Sequence, residues 1–341
     1  MLYKNIIISR TDGIGDVVLS LPLAGLLKKM FPKSNIIFLG KNYTKSIIES
    51  CSNIDTFIAW DEIEKLKTND EQVKAFKNLD ADIIIHVFPY KKIAQLAKNA
   101  NIPIRIGASG RYYHWITCNK IVKLSRKNSI YHETQLNLKL LIPLGAKKLF
   151  DESEIPLLYG LNKIAPLNEK FKKLIDTKKI NIIIHPKSKG SAREWGVNNF
   201  INLIESLPSE KFKIFISGTK EEGGAIKKEL IDRFPEVIDM TGQLSLEQLI
   251  SFIAAADGVV AASTGPLHIA SALGKYALGL YAPMRPIHPG RWAPIGINST
   301  FLVKEGECNK CRKSVDCECI RGIKPSDVIG KLNEFYIKKM I

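Results

Sequence analysis

The 341-residue sequence predicts an α/β protein built from two doubly wound domains in tandem. Three observations predict it. Short, continuous apolar runs recur, of the kind buried on both faces of a parallel sheet, and each is followed by a segment whose apolar residues fall at helical spacing. The pattern restarts near Lys179. Between the two blocks, Asp151 to about Thr177 carries Pro156, Gly160 and Pro166, as a linker would.

In the first block, Asn5 to Ser9 (NIIIS) is a buried strand, Arg10 to Gly15 a loop, and Val17 to Met30 a helix stopped by Phe31-Pro32. Asn35 to Leu39, Ala81 to Val87 and Ile102 to Ile106 read as further strands. His132 to Leu144 reads as a helix closed by Gly145. In the second block, Ile180 to His185 (INIIIH), Phe212 to Ser217, Asp257 to Ala262 and Ala277 to Tyr281 are strands. Helices are expected at about Asn198 to Leu207, at Gly223 to Phe234, at Leu246 to Ala256 with Ser245 as N-cap, and after Ser263-Thr264-Gly265-Pro266. The expected division is 1–155, a linker at 156–177, 178–325, and a C-terminal helix at 326–341 packing back on the N-terminal domain. Ligands of doubly wound sheets bind beyond the carboxyl ends of the strands, so the expected site is a cleft between two facing domains.

Composition narrows the class. The hydrophobic fraction is 45% and the charged fraction 25%, as in a globular chain. No apolar run reaches the roughly 18–20 residues of a membrane span. The nearest, Ile250 to Ala262, is interrupted by Asp257, and the N-terminus lacks a signal-peptide core. A cytoplasmic protein is expected. The net charge is +16, and +11 of it falls between Phe88 and Lys148, where twelve Lys or Arg face one acid, Glu133. That segment is either a solvated lysine-rich surface or a face for a polyanion. No nucleic-acid-binding module accompanies it, which favours anionic lipid or glycolipid over nucleic acid.

Three loops carry candidate chemistry. Arg10-Thr11-Asp12-Gly13-Ile14-Gly15-Asp16 joins a buried strand to a helix. Its glycines let a ligand approach the backbone, and the helix start favours an anion. Read alone, it is equally a tight turn with Asp16 as a helix N-terminal carboxylate. It is not a dinucleotide fingerprint, because Val18 stands where the third glycine would fall. His185-Pro186 through Arg193-Glu194-Trp195 sets basic and hydroxyl groups after another buried strand, as a diphosphate site would. Ser263-Thr264-Gly265-Pro266-Leu267-His268 opens a helix whose free N–H groups suit a pyrophosphate, with His268 one turn in.

Taken together, these loops resemble the lipopolysaccharide heptosyltransferases, glycosyltransferase family 9, of GT-B fold. Gly15-Asp16-Val17-Val18-Leu19-Ser20-Leu21-Pro22, His132-Glu133-Thr134-Gln135, Ser217-Gly218 and Asp239-Met240-Thr241-Gly242 extend the resemblance over nearly the whole chain. It implies two Rossmann-like domains and an inverting, metal-independent transfer from ADP-heptose to a lipopolysaccharide core or lipid A precursor, at the cytoplasmic face of the inner membrane. Asp16 matches the catalytic carboxylate, a general base toward an acceptor hydroxyl. Arg193 matches a cationic position beside the leaving diphosphate. Gly15, Ser188, Lys189, Ser217, Gly218, Ser263, Thr264, Gly265, Pro266 and His268 fall on the donor side, with Glu222 at a ribose-binding carboxylate and Leu244 lining the adenine pocket. Ser263 replaces an Asp that contacts the donor in many relatives, which leaves the sugar open. Lys91, Lys92, Arg105, Arg111 and Lys120 are the acceptor-side candidates.

Cys308, Cys311, Cys317 and Cys319 cluster with a spacing that suits one structural zinc or iron, free thiols or a disulfide; the transfer itself asks for no cofactor. Two other functions are compatible with these features: a GT-B enzyme using another nucleotide sugar, and a non-catalytic nucleotide-sugar or lipid-surface binding protein.

Overall fold

A computed structural model describes residues 3–126, 129–284, 287–306 and 317–340. The chain forms two compact units, divided between Lys163 and Ile164.

The first unit holds a parallel sheet of β1 (Asn5–Ser9), β2 (Asn35–Gly40), β3 (Thr56–Ala59), β4 (Ile83–His86), β5 (Ile104–Ala108) and β6 (Lys120–Val122), ordered β3-β2-β1-β4-β5-β6. The second holds β7 (Ile180–His185), β8 (Phe212–Ile216), β9 (Ile238–Asp239), β10 (Gly258–Ala262), β11 (Tyr276–Tyr281) and β12 (Ser299–Val303), ordered β12-β11-β10-β7-β8-β9. Counted within its unit, each sheet has the same 3-2-1-4-5-6 order, with its switch point between the first and fourth strands. The register Ile6↔Ile83 through Ser9↔His86 fixes that point in the first unit, and Gly258↔Ile182 through Ala261↔His185 in the second. The middles of these central strands are apolar because helices cover both faces. Ile6, Ile7 and Ile8 are fully buried, and Ile7 packs with Ile84, Leu39, Trp60, Phe76 and Leu96. Each such isoleucine contributes roughly 1.5–3 kcal/mol of burial.

The expected helix Val17 to Met30 is two helices, Ile14–Val18 and Leu21–Met30. Pro22 lies in the first turn of the second, where its missing N–H costs nothing, and Ser20 Oγ donates to the Val17 carbonyl at 2.7 Å in the break. Gly25 is required: a Cβ there would lie 2.0 Å from the Leu158 carbonyl oxygen. Gly145, at φ +99°, ends the 3₁₀ turn Ile142–Leu144, which follows the shorter helix Glu133–Lys139. The helix expected from Gly223 starts earlier, at Lys220, on a capping box of Thr219 with Glu222, and passes into a π-helical turn at Lys227–Ile231.

The expected linker is divided between the units. Tyr159 and Leu161 are buried in the first, where Ser52 N donates to the Gly160 carbonyl at 2.7 Å. Ala165 accepts from Ser251 Oγ at 2.8 Å in the second. The C-terminal helix Pro325–Met340 is built into the second unit's core through Val328 and Leu332, with Phe335 stacked on Tyr276 at 4.2 Å between ring centroids.

Candidate active site

In the first unit, the loop after β1 is organised by a buried arginine. Arg10 is 3% exposed and meets Asp12 through Nε (2.8 Å) and Nη2 (3.0 Å). Nη2 also donates to Asp16, and Nη1 reaches Asn137 at 3.4 Å and Glu133 at 3.5 Å. Arg126 closes the group from the other side, donating to Glu133 and Asn137 at 2.9 Å each. Tyr43 donates to the Asp12 carbonyl at 2.6 Å. Among the described residues, three carboxylates therefore share two guanidinium groups. A buried charge cluster is maintained only when its members are mutually paired and hydrogen-bonded, as these are.

Asp16 is the most accessible of the three carboxylates, at 29%. Burial raises its pKa; Arg10 lowers it, and Asp12 and Glu133 raise it again, leaving it at about 6. Arg10 remains charged because Asp12, Asp16 and Glu133 outweigh the effect of its burial. Asp16 lies in the first turn of Ile14–Val18, directly after Gly15, with one oxygen held by Arg10. A carboxylate so held, and so shifted, is ionised at neutral pH yet more basic than an ordinary aspartate.

In the second unit, the loop after β7 is an ordered turn. Glu194 pairs with Lys187 and accepts from Ser188 N at 3.0 Å and Ser188 Oγ at 3.2 Å. The Ser188 hydroxyl is thus used to close the loop, while Lys189, at φ +50°, and Gly190 form its exposed crest. Trp195 anchors the far end, buried, with Nε1 donating to the Ile323 carbonyl at 2.9 Å. Arg193 is half-buried and lines a small recess with Ser263, Tyr281 and Met284.

Thr264 caps the helix Gly265–Ala272 in extended conformation, and Pro266 sits in its first turn. The Thr264 side chain makes no capping bond; its Oγ1 is buried and has no hydrogen-bond partner among the described residues. A buried hydroxyl beside free helix N–H groups suits an anionic guest. His268 is buried one turn further. At the end of β8, Ser217 Oγ lies 3.0 Å from His185 Nδ1, and burial lowers the pKa of His185. Gly218 accepts from Gly242 N at 2.9 Å. Glu222 lies against Gly218, with one carboxylate oxygen engaged by Thr219 N at 2.8 Å. Leu244 is half-buried just before the N-cap Ser245.

The acceptor-side candidates divide. Arg105 is an internal brace: Nε donates to the Thr117 carbonyl at 2.7 Å and Nη1 to that of Ile102. Lys91 lies over Tyr112 and Lys92 over Trp60, each 5.9 Å from the ring centroid. Arg111 and Lys120 are exposed. Of the cysteine cluster, Cys308 and Cys311 lie outside the described residues; Cys317 is buried in the second core and Cys319 packs against it. Among the described residues no group of three His, Cys, Asp or Glu is placed to hold a metal.

Sequence reading gave no role to Arg10, Arg126 or Asn137. The available signal was an arginine directly after a buried strand, where an unpaired charge is not tolerated. Its partners Glu133 and Asn137 stand more than 120 residues away.

A sequence model of glycosyltransferase family 9 (heptosyltransferase) matches residues 71–320. Lipooligosaccharide heptosyltransferase 2 of Haemophilus influenzae is 23% identical, over 98% of this chain and all of that protein. The glycosyl transferase family 9 structure from Veillonella parvula superposes with a TM-score of 0.82 at 18% identity, covering 99% of this chain and 98% of that one. The Escherichia coli ADP-heptose lps heptosyltransferase II gives 0.76 at 18% identity, covering 99% and 100%. Two Rossmann-like units of this topology define the class, a protein with the GT-B fold. The chain belongs to glycosyltransferase family 9, the heptosyltransferases.

Proposed function

We propose that the enzyme transfers a heptose or closely related sugar from ADP-heptose, with inversion, to a lipopolysaccharide core or lipid A precursor. The observation that carries this reading is Asp16, held through one oxygen by Arg10 and poised at a pKa of about 6. The names of the relatives and structural neighbours support the donor and acceptor classes.

Asp16 accepts the proton of the acceptor hydroxyl as that oxygen attacks the anomeric carbon. The attack displaces the nucleoside diphosphate in line, so one displacement inverts the anomer and no enzyme nucleophile is needed. The leaving group gains negative charge. Arg193, Lys189 and the N–H groups of the helix after Thr264 stabilise it, with the Thr264 hydroxyl donating. Ser188 holds the loop that carries Lys189 and Arg193. Glu222 offers its remaining oxygen to a ribose hydroxyl, Leu244 packs against the base, and Ser217, Gly218, Ser263 and His268 complete the donor side. Lys91, Lys92, Arg111 and Lys120 face a phosphorylated acceptor, while Arg105 shapes that surface from within. The enzyme works at the cytoplasmic face of the inner membrane without a cofactor in the transfer. The cysteine cluster, if it binds zinc or iron, does so as a structural site.

The test is transfer from a panel of ADP-, UDP- and GDP-sugars to core acceptors, with wild type and Asp16→Ala. ADP-heptose is expected to be the preferred donor. Asp16→Ala is expected to keep nucleotide binding and to lose turnover by about 10²–10⁴-fold. Near-normal turnover in that variant would remove Asp16 from the mechanism, and use of only a UDP- or GDP-sugar would remove the adenine assignment.

A further inference from the structure

The first unit carries an exposed apolar group, Tyr112, Trp115 and Ile116, to which the proposed transfer gives no role. Between β5 and β6 the chain turns through the short helix His114–Thr117. Three large side chains within five residues point outward: Tyr112 is 69% exposed, Trp115 61% and Ile116 64%. Their display is fixed from beneath. His114 is fully buried, with Nδ1 2.9 Å from the Ala108 carbonyl oxygen and its ring stacked on the buried His86 at 5.6 Å. Gly107 presses so closely on His114 that a Cβ there would lie 2.7 Å from Nδ1. Thr117 is buried, and its Oγ1 donates to the Tyr113 carbonyl at 2.8 Å. Trp115 Nε1 donates to the Ser109 carbonyl at 3.1 Å, which holds the indole in its outward pose. A soluble surface rarely presents adjacent aromatic and aliphatic side chains so fully and on so firm a base.

The charged residues nearest them in the sequence are all basic. Arg111 precedes the aromatics, Lys120 and Lys123 follow, and all three are exposed; Lys91 lies over the Tyr112 ring. The only acid between Phe88 and Lys148 is Glu133, which is 1% exposed and buried against Arg10 and Arg126. The segment therefore contributes no acid to the exposed surface.

We propose that Tyr112, Trp115 and Ile116, with Lys91, Arg111 and Lys120 around them, form the surface by which the enzyme docks on an anionic lipid bilayer. Tryptophan and tyrosine settle at the headgroup level, where an apolar ring and a polar N–H or O–H are both accommodated. Ile116 reaches the acyl boundary, and the cations meet lipid phosphates. Each such cation contributes on the order of a fivefold gain in partitioning near an anionic surface. Trp115 and Ile116 anchor, and the lysines and arginine select the charge of the membrane. The inference rests on the proposed function only in that the acceptor is membrane-borne; the docking surface itself needs no glycolipid.

The test uses the full chain with sucrose-loaded vesicles of phosphatidylcholine alone, or with 30% phosphatidylglycerol, and no glycolipid. Cosedimentation with the anionic vesicles is expected, weakening as salt rises from about 0.05 to 0.5 M as charge screening requires. Lipids brominated on the acyl chain are expected to quench Trp115 fluorescence in a Trp292→Phe background, since Trp60 and Trp195 are buried. The triple variant Tyr112→Ser, Trp115→Ser, Ile116→Ser is expected to bind at least tenfold more weakly, while its turnover of a water-soluble, delipidated acceptor equals that of wild type. Equal vesicle binding by wild type and triple variant would overturn the proposal, as would no binding to either vesicle. Concentration-dependent self-association that the triple variant abolishes, without vesicle binding, would assign the patch to a second copy of the chain instead. Loss of soluble-acceptor turnover in wild type with vesicle binding intact would fall on the proposed function and leave the docking surface in place.

Discussion

The loops after β1 and β7 leave sheets of the same strand order, at the same topological position, yet their chemistry is opposite. The first holds Asp12 and Asp16 on Arg10, with three carboxylates to two guanidinium groups among the described residues once Glu133 and Arg126 are counted. The second presents Lys187, Lys189 and Arg193, with only Glu194 among them, and Glu194 is used to close the loop. The scaffold provides two equivalent perches, and the side chains placed there make one acidic and the other basic. Duplicated topology therefore does not imply duplicated chemistry.

After Asp16→Ala, the largest expected break in this contrast is at the cationic loop. Arg193→Ala is expected to lower single-turnover transfer by about 10²-fold through loss of leaving-group stabilisation. A loss below threefold would show that Arg193 does not face the diphosphate.

The acidic loop is next. If Asp16 is the base, kcat/KM should fall about tenfold for each pH unit below about 6, its raised pKa, and level off above it. An acid limb near pH 4 would mean that the burial of Asp16 is relieved when substrate is absent.

Arg10→Lys sharpens the same point. The shorter, non-planar ammonium cannot satisfy Asp12, Asp16 and Glu133 together, so the stabilisation of the Asp16 anion weakens. The acid limb is expected to move to higher pH, with the fold retained by circular dichroism. An unmoved limb would reduce Arg10 to a structural tie.

The smallest effect concerns stability. A carboxyl whose pKa is higher folded than unfolded binds its proton more tightly when folded, so its ionisation costs stability as pH rises. For Asp16 that cost accrues between the ordinary aspartate range near pH 4 and about pH 6. Asp16→Asn is accordingly expected to melt a few degrees above wild type at pH 7, with the gap closing below pH 4. A lower melting temperature at pH 7 would show that the Arg10 contact outweighs the burial.

The buried central strands were plain from composition: IIIS after Asn5 and NIIIH after Ile180 admit few readings. The edge strands β3, β6, β9 and β12 were not, because a short strand covered on fewer sides needs no continuous apolar run. The break before Leu21 was marked by Pro22, but a proline in a first helical turn signals a new start only once Ser20 is seen bonding back to Val17.

The sequence by itself determined the two-sheet architecture, the three loops and their family, because these depend on local spacing: apolar runs, helix starts and short motifs. Only the tertiary structure decided how the charges pair. Arg10 meets Glu133 and Asn137 across more than 120 residues, Glu194 folds back on Ser188, and Glu133 leaves the basic surface for the interior. Electrostatic pairing depends on distance in space and on exclusion of water, and neither is written in the spacing of residues along the chain.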